Sequence, residues 1–355
     1  MGDSDLIPAV VVAFAVTTSF LFALRPLAKS INLVDRPGGH KAHVGEVPII
    51  GGIAMCAGIF SGFAIIAEPP GTLLNAAIAS LLLVSVGTLD DKYSLPASVR
   101  FITQIAAVLI MVYGMRLPLS EIGDPFGTGM ISMGRFTLVF TMLVTLTMIN
   151  AYNLIDGVDG LAGSLALIAM LSVAVVGGPS APSTVVAMSA AAAIVGFLIF
   201  NFPVGWNRSL RSFMGDAGST FLGFTIVWVT LGVSQGPERL ISPVSCLWFA
   251  SIPIYDCLTC FVRRALTGKS PLTPGRDHFH HILKRGGIDE RKSLGILGGL
   301  QLIYAGTALI AHFAGVPDVA MFTSWALLGL SQRYVIARIA IFSRYYRALH
   351  KQRLA

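Results

Sequence analysis

The chain has 355 residues, of which 54% are hydrophobic and only 12% charged, with a net charge of +7. An ordinary soluble domain carries about 25% charged residues, so this composition excludes a large water-soluble fold. No repeat, low-complexity tract or polar domain interrupts it, and residues 1–355 read as one integral membrane domain.

Apolar runs of about 15–20 residues, the length a bilayer-crossing helix needs, recur along the whole sequence. They predict an all-α polytopic protein with eleven transmembrane helices, near 6–24, 48–67, 72–89, 101–115, 136–149, 161–176, 184–200, 217–234, 241–260, 294–313 and 319–332. Most lack the polar stripe of a soluble amphipathic helix. The first run follows Asp3 and Asp5 rather than a basic segment, which predicts a retained helix and not a cleaved signal.

Loop charge sets the orientation. Of the 25 Lys and Arg residues, 22 fall in the alternate set 25–47, 90–100, 150–160, 202–216, 261–293 and 333–355. Basic residues are retained on the cytoplasmic side. This split predicts an N-terminus outside, a C-terminus inside and a cytoplasmic catalytic face. It also accounts for the net charge without a nucleic-acid partner. The basic tail, with Arg344, Arg347, Lys351 and Arg353, suits anionic headgroups.

Within the spans, Gly58-x-x-x-Gly62 and Gly295-x-x-x-Gly299 are candidate close helix contacts. Cys257-x-x-Cys260 has the spacing of a redox or zinc half-site but sits on a membrane helix, where small packing residues are the expected reading.

The cytoplasmic loops carry the chemistry. Residues 34–52 bring His40, Lys41 and His43 to a membrane entry. They read either as a solvated basic loop or as a phosphate-contacting loop, with Gly51 and Gly52 permitting close backbone approach. Asp90 and Asp91 follow an apolar run at a helix C-terminus, where the macrodipole disfavours negative charge. Two adjacent carboxylates there call for a cation or a proton. Asn150, Asn153, Asp156 and Asp159 are spaced by three, which drifts about 60° per step on a straight helix. Gly157 and Gly160 allow a break that lets the groups converge. Their hard oxygens suit Mg²⁺. Asp216 opens a further span, as an anion-site residue or a simple cap. In 261–293, Asp277, His278, His280 and His281 stand among many cations and no nearby cysteine, which favours diphosphate over zinc.

These pieces together resemble the polyprenyl-phosphate N-acetylhexosamine-1-phosphate transferases, and within them the WecA/TagO branch. The matching motifs run in family order over residues 35–281: Asp35-x-Pro37 with Lys41-x-His43, Pro48-x-x-Gly51-Gly52, Asp90-Asp91, Asn150-x-x-Asn153-x-x-Asp156-Gly-x-Asp159-Gly, Phe213-Met-Gly-Asp216-x-Gly218-Ser219, Pro253-x-x-Asp256 and Arg276-Asp-His-x-His-His281. Eleven helices fit this branch better than its ten-helix sister, MraY.

The resemblance implies transfer of an N-acetylhexosamine 1-phosphate, GlcNAc-1-phosphate by its closeness to this branch, from a UDP-sugar to undecaprenyl phosphate in the bacterial inner membrane. UMP leaves. Mg²⁺ is the implied cofactor, with Mn²⁺ as substitute, and a homodimer the implied assembly. The resemblance assigns Asn153 and Asp216 to the metal, Asp90 to the lipid phosphate with Asp91 beside it, and Asp156 to the metal or catalytic network. It assigns Gly157, Asp159 and Phe213 to uridine, Phe213 by stacking. Lys41 and His43 would contact substrate phosphate, and Arg276, His278, His280 and His281 the sugar or diphosphate. Where MraY enzymes place a lysine three residues after the acidic pair, this chain has Lys92 immediately after it. The cation for the lipid phosphate therefore stays open among Lys92, Arg100 and Lys41. Asp256, inside a span, expects Arg263 or Arg264 as its partner. A transporter or flippase of a nucleotide sugar or lipid-linked sugar is the alternative, disfavoured because the acids cluster at span ends and not at the midplane.

Overall fold

The structure is a computed structural model that describes residues 6–36, 45–65, 70–178, 181–203, 209–268 and 278–354. Lys41, His43 and Arg276 lie outside the described residues.

Each expected span overlaps at least one of the helices among the described residues. In chain order these are α1 Leu6–Ser30, α2 Gly51–Phe63, α3 Pro70–Tyr93, α4 Ala97–Leu109, α5 Thr137–Ile155, α6 Leu161–Gly177, α7 Pro182–Asn201, α8 Gly215–Ser234, the single turn α9 Pro243–Cys246, α10 Ser251–Leu266, α11 Phe279–Arg285, α12 Glu290–Phe313 and α13 Asp318–Leu354. Among the described residues, eight segments are long and apolar enough to cross a bilayer, and α2 and α6 are shorter apolar helices. The last expected span opens the 37-residue α13. A two-stranded antiparallel ribbon, β1 Val34–Asp35 with β2 Val47–Pro48, is an addition that an all-α reading did not anticipate.

The bundle is organised around α8. Its apolar window is 89% buried, against 22% for α1 at the rim. Large apolar side chains such as Leu302, Ile303, Ile310 and Phe313 face outward along α12, the pattern of a surface solvated by lipid rather than water. Membrane helices gain little from hydrophobic transfer against one another, so small residues that admit close packing matter. A Cβ on Gly52 would lie 2.4 Å from the Gly218 backbone nitrogen, and one on Gly87 2.4 Å from the Ala217 Cα. Glycine at these two places lets α2 and α3 press against the N-terminus of α8. Gly58 and Gly62 do mark a close contact, with α1, whereas Gly295 and Gly299 have nothing within 4 Å of a built Cβ.

The ninth expected span is broken between α9 and α10 by a 3-10 turn, Leu247–Ala250. Unpaired backbone groups are costly away from water. Gln301 of α12 supplies the missing partners: its Oε1 accepts from the Ile252 N–H at 2.9 Å, and its Nε2 donates to the Trp248 carbonyl at 2.9 Å.

Candidate active site

A cavity of about 870 Å³ opens at one end of the bundle. Five of the predicted cytoplasmic loops converge on it: Asp35, Asp91, Asn153 with Asp156 to Asp159, Arg211 with Phe213 to Asp216, and His281 with Lys284, Arg285 and Glu290 line its wall, and Asn201 at the end of α7 joins them.

The N-terminus of α8 forms one side. Its first backbone donors are taken by a carboxylate from another helix: Asp91 Oδ1 accepts from the Asp216 N–H at 2.8 Å, and Oδ2 from the Ala217 N–H at 3.3 Å. Asp91 is misplaced for the C-terminal dipole of its own α3 but well placed for the N-terminal dipole of α8. Gly215, at φ +68, is required here, because a Cβ would collide with Asp91 Oδ2 at 2.3 Å. The turn before α8 is stitched to the Pro48–Gly52 segment. The Phe213 N–H donates to the Pro48 carbonyl at 2.9 Å, and the Gly51 N–H to the Phe213 carbonyl at 2.9 Å. The close backbone approach expected of Gly51 and Gly52 is made to protein, at Met214 and Gly218.

Asp216 and Asn153 meet in the cavity. Asn153 Nδ2 donates to Asp216 Oδ1 at 2.8 Å and to Ser219 Oγ at 3.1 Å, leaving its carbonyl oxygen as a hard donor. Arg100 Nη1 lies 3.4 Å from Asp216 Oδ2 and 3.1 Å from Asp90 Oδ2. Asp90 is otherwise buried, accepting from the Leu95 N–H at 2.7 Å, and it does not line the cavity. Of the three candidate cations for the lipid phosphate, Arg100 stands between these acids. Lys92 rests over the Tyr93 ring at 4.9 Å, and Lys41 lies outside the described residues.

The expected break after α5 is present. Asp156 ends the helix with ψ 40, and Gly160 at φ +76 starts the next. It brings Asn153, Asp156 and Asp159 to the cavity, but not Asn150, whose Nδ2 donates to Gln104 Oε1 at 2.9 Å. Burial, then the nearby charges of Asp216 and Asp91, push the Asp156 carboxyl well above its ordinary range. Asp159 forms an ion pair with Arg211, and the Arg211 guanidinium covers the Phe213 ring at 5.2 Å. Phe213 lines the cavity beside them.

The three histidine ring centroids lie within 6.4 Å of one another, but only one of the rings lines the cavity. His281 reaches the cavity. His280 is buried against Gly157, where a Cβ would meet its Nε2 at 2.5 Å. Burial and the neighbouring His281, His278 and Lys284 hold His280 neutral, pushed down to about 3. His278 is buried away from the cavity, with Nδ1 2.8 Å from Asp256 Oδ2. Burial opposes its charge, but the Asp256 and Cys260 contacts outweigh that and raise it to about 10. The partner of Asp256 differs from the arginine expected of it: both its oxygens engage the histidine segment, the second accepting from the Phe279 N–H at 2.7 Å.

Several site residues escaped the sequence reading. Asn201 Oδ1 accepts from the Gly160 N–H at 2.7 Å and its Nδ2 donates to the Ser212 carbonyl at 3.0 Å, tying two cavity walls together. Arg211, Lys284 and Arg285 line the cavity too. The signal for Asn201 was a polar residue ending the apolar run 184–200, and that for Lys284 and Arg285 was the density of cations in the loop 261–293.

The glycosyl transferase family 4 profile matches residues 73–234. An undecaprenyl-phosphate alpha-N-acetylglucosaminyl 1-phosphate transferase of Escherichia coli (strain K12) is 34% identical over 343 residues, covering 96% of this chain and 93% of that protein. The chain belongs to this family. A Salmonella typhi protein of the same description is 33% identical over 347 residues, and one from Pasteurella multocida (strain Pm70) 30% over 346, the latter covering 97% of each chain. Family membership and the apolar helices together make the protein an integral membrane transferase.

Proposed function

We propose that the protein transfers GlcNAc-1-phosphate from UDP-GlcNAc to undecaprenyl phosphate at the cytoplasmic face of the bacterial inner membrane, releasing UMP. The observation that carries the reading is the cavity itself. Its lining offers hard oxygens from Asn153, Asp156 and Asp216 together with Arg211, His281, Lys284 and Arg285. A diphosphate needs both. The names of the relatives supply the substrates. The apolar runs support eleven crossings, and the 22 of 25 basic residues on one set of loops support a C-terminus inside.

The donor set fits Mg²⁺. Asn153 and Asp216 would hold it, with Asp156 in support, because these oxygens converge on one cavity and Asn153 already bonds Asp216. When bound, the ion would neutralise charge developing on the diphosphate oxygens. The remaining work belongs to the chain. Phe213 offers a ring for the uracil, held in place by Arg211 and Asp159. His281, Lys284 and Arg285 orient the diphosphate and sugar. Arg100, steadied by Asp90, draws the lipid phosphate toward the sugar-side phosphorus. Asp91 positions Asp216 by capping α8. Positioning and electrostatics of this kind carry most of phosphoryl transfer.

Purified protein incubated with UDP-GlcNAc, undecaprenyl phosphate and Mg²⁺ should release UMP only when both substrates and the ion are present. UMP formed equally well without the lipid, or none at all, would overturn the reading.

A further inference from the structure

Asp256 is 1% exposed and lies on α10, outside the cavity lining, yet it makes two bonds to the segment that reaches the cavity. Its Oδ2 lies 2.8 Å from His278 Nδ1, and its Oδ1 accepts from the Phe279 N–H at 2.7 Å. Phe279 is the first residue of α11, and His278 before it is extended, at φ −67 and ψ 156, with no capping bond from its own side chain. A helix start leaves donors that need a partner. Here a carboxylate of a neighbouring helix provides it and pairs with the preceding imidazole as well. Everything downstream depends on where α11 starts. Phe279 and Leu283 are buried, His280 seats on Gly157, and His281, Lys284 and Arg285 face the cavity.

We propose that Asp256 is a positioning residue that latches the histidine segment, through His278 and the Phe279 amide, so that His281, Lys284 and Arg285 engage the UDP-sugar. This rests on the transferase reading for the identity of that ligand. The latch acts on one substrate. The proposed lipid-phosphate groups, Arg100 and Asp90, are bonded to the α3 and α8 side of the site and not to α11.

The test uses the full chain, purified in detergent, with Asp256→Asn, His278→Gln and the double variant. UDP-GlcNAc binding is measured by calorimetry, and KM for each substrate from UMP release. Asp256→Asn should raise both Kd and KM for UDP-GlcNAc by about 30-fold, the scale of losing one buried charge-assisted contact. The KM for undecaprenyl phosphate should move by less than about threefold. His278→Gln should act alike, and the double variant should be no worse than either single change within about threefold, because both break one device. His278→Gln carries the same expectations if Asp256→Asn fails to assemble. Unchanged UDP-GlcNAc affinity in an assembled variant, or a rise in both KM values together, would overturn the latch. So would stoichiometric zinc in the wild type that is lost in Cys260→Ala, since Asp256, Cys260 and His278 stand close enough together to ligate a metal. A wild type that binds UDP-GlcNAc but forms no UMP would sink the transferase reading, while the binding comparison still decides the latch.

Discussion

The two sides of the cavity are built by the same device on different supports. At α8, Asp91 of α3 caps an incoming helix that is itself the most buried of the candidate spans, and α2 and α3 press against the turn that carries Asp216. At α11, Asp256 caps a helix of seven residues that packs against α13 and α12 near the bundle's end. The lesson is that an acid needed for structure and an acid needed for chemistry look alike in sequence. A rigid α8 side suits metal and phosphate geometry, where small displacements are costly. A lighter α11 side suits a segment that binds and releases a nucleotide sugar.

The largest expected effect breaks the α8 side at its centre. Asp216→Asn should lower kcat by about 1000-fold or more, as loss of a metal ligand on the reacting diphosphate would, while the purified protein still elutes as an assembled membrane protein. Asp91 separates capping from chemistry. Asp91→Ala should cost about 1–2 kcal/mol of stability, the value of a helix cap, and about 100-fold in kcat through Asp216. Asp91→Asn keeps an acceptor for the Asp216 N–H and should retain activity within about tenfold. Equal collapse of both variants would make Asp91 a catalytic acid instead.

On the α11 side the effects are smaller. Gly157→Ala pushes a methyl group into His280 and should raise the KM for UDP-GlcNAc by about tenfold with little change in kcat. The smallest effect is pH dependence. His280 is pushed down to about 3, so its neutral burial costs stability once pH falls below about 6.5, where the unfolded imidazole gains a proton. His278 is raised to about 10, so its contribution is full below about 6.5 and is lost as pH rises through about 10. Between these limits, with Asp256 and Cys260 facing His278 and with His281 and Lys284 facing His280, the protection of the α11 amides, as exchange relative to the unstructured rate at the same pH, should be greatest near neutral pH. It should fall toward pH 5 and toward pH 10.5. Weakest protection at neutral pH would contradict both assignments.

The helices were legible in the sequence because bilayer thickness imposes length and apolarity on each span, and charge placement marks their ends. Convergence of Asn153, Asp156 and Asp159 was legible from Gly157 and Gly160. The roles of neighbours were not. Asn150 shares the spacing of the cavity residues, but a helix rotates it toward Gln104. Asp91 is adjacent to Asp90 in sequence and serves a different helix. Asp256 met a histidine that lies 22 positions away. Cys257-x-x-Cys260 stayed two free cysteines. Such pairings depend on how helices cross, which a single sequence does not encode locally.

The most direct test follows the phosphorus. UDP-GlcNAc carrying an isotopic label at its β-phosphorus is incubated with the purified protein, Mg²⁺ and undecaprenyl phosphate, and the lipid phase is extracted. The account predicts that the label enters the lipid as a diphosphate-linked sugar in step with unlabelled UMP, that chelation stops it, and that Asp216→Asn nearly abolishes it. Label that stays in water as UDP, or that reaches the lipid undiminished in the Asp216→Asn variant, would contradict it.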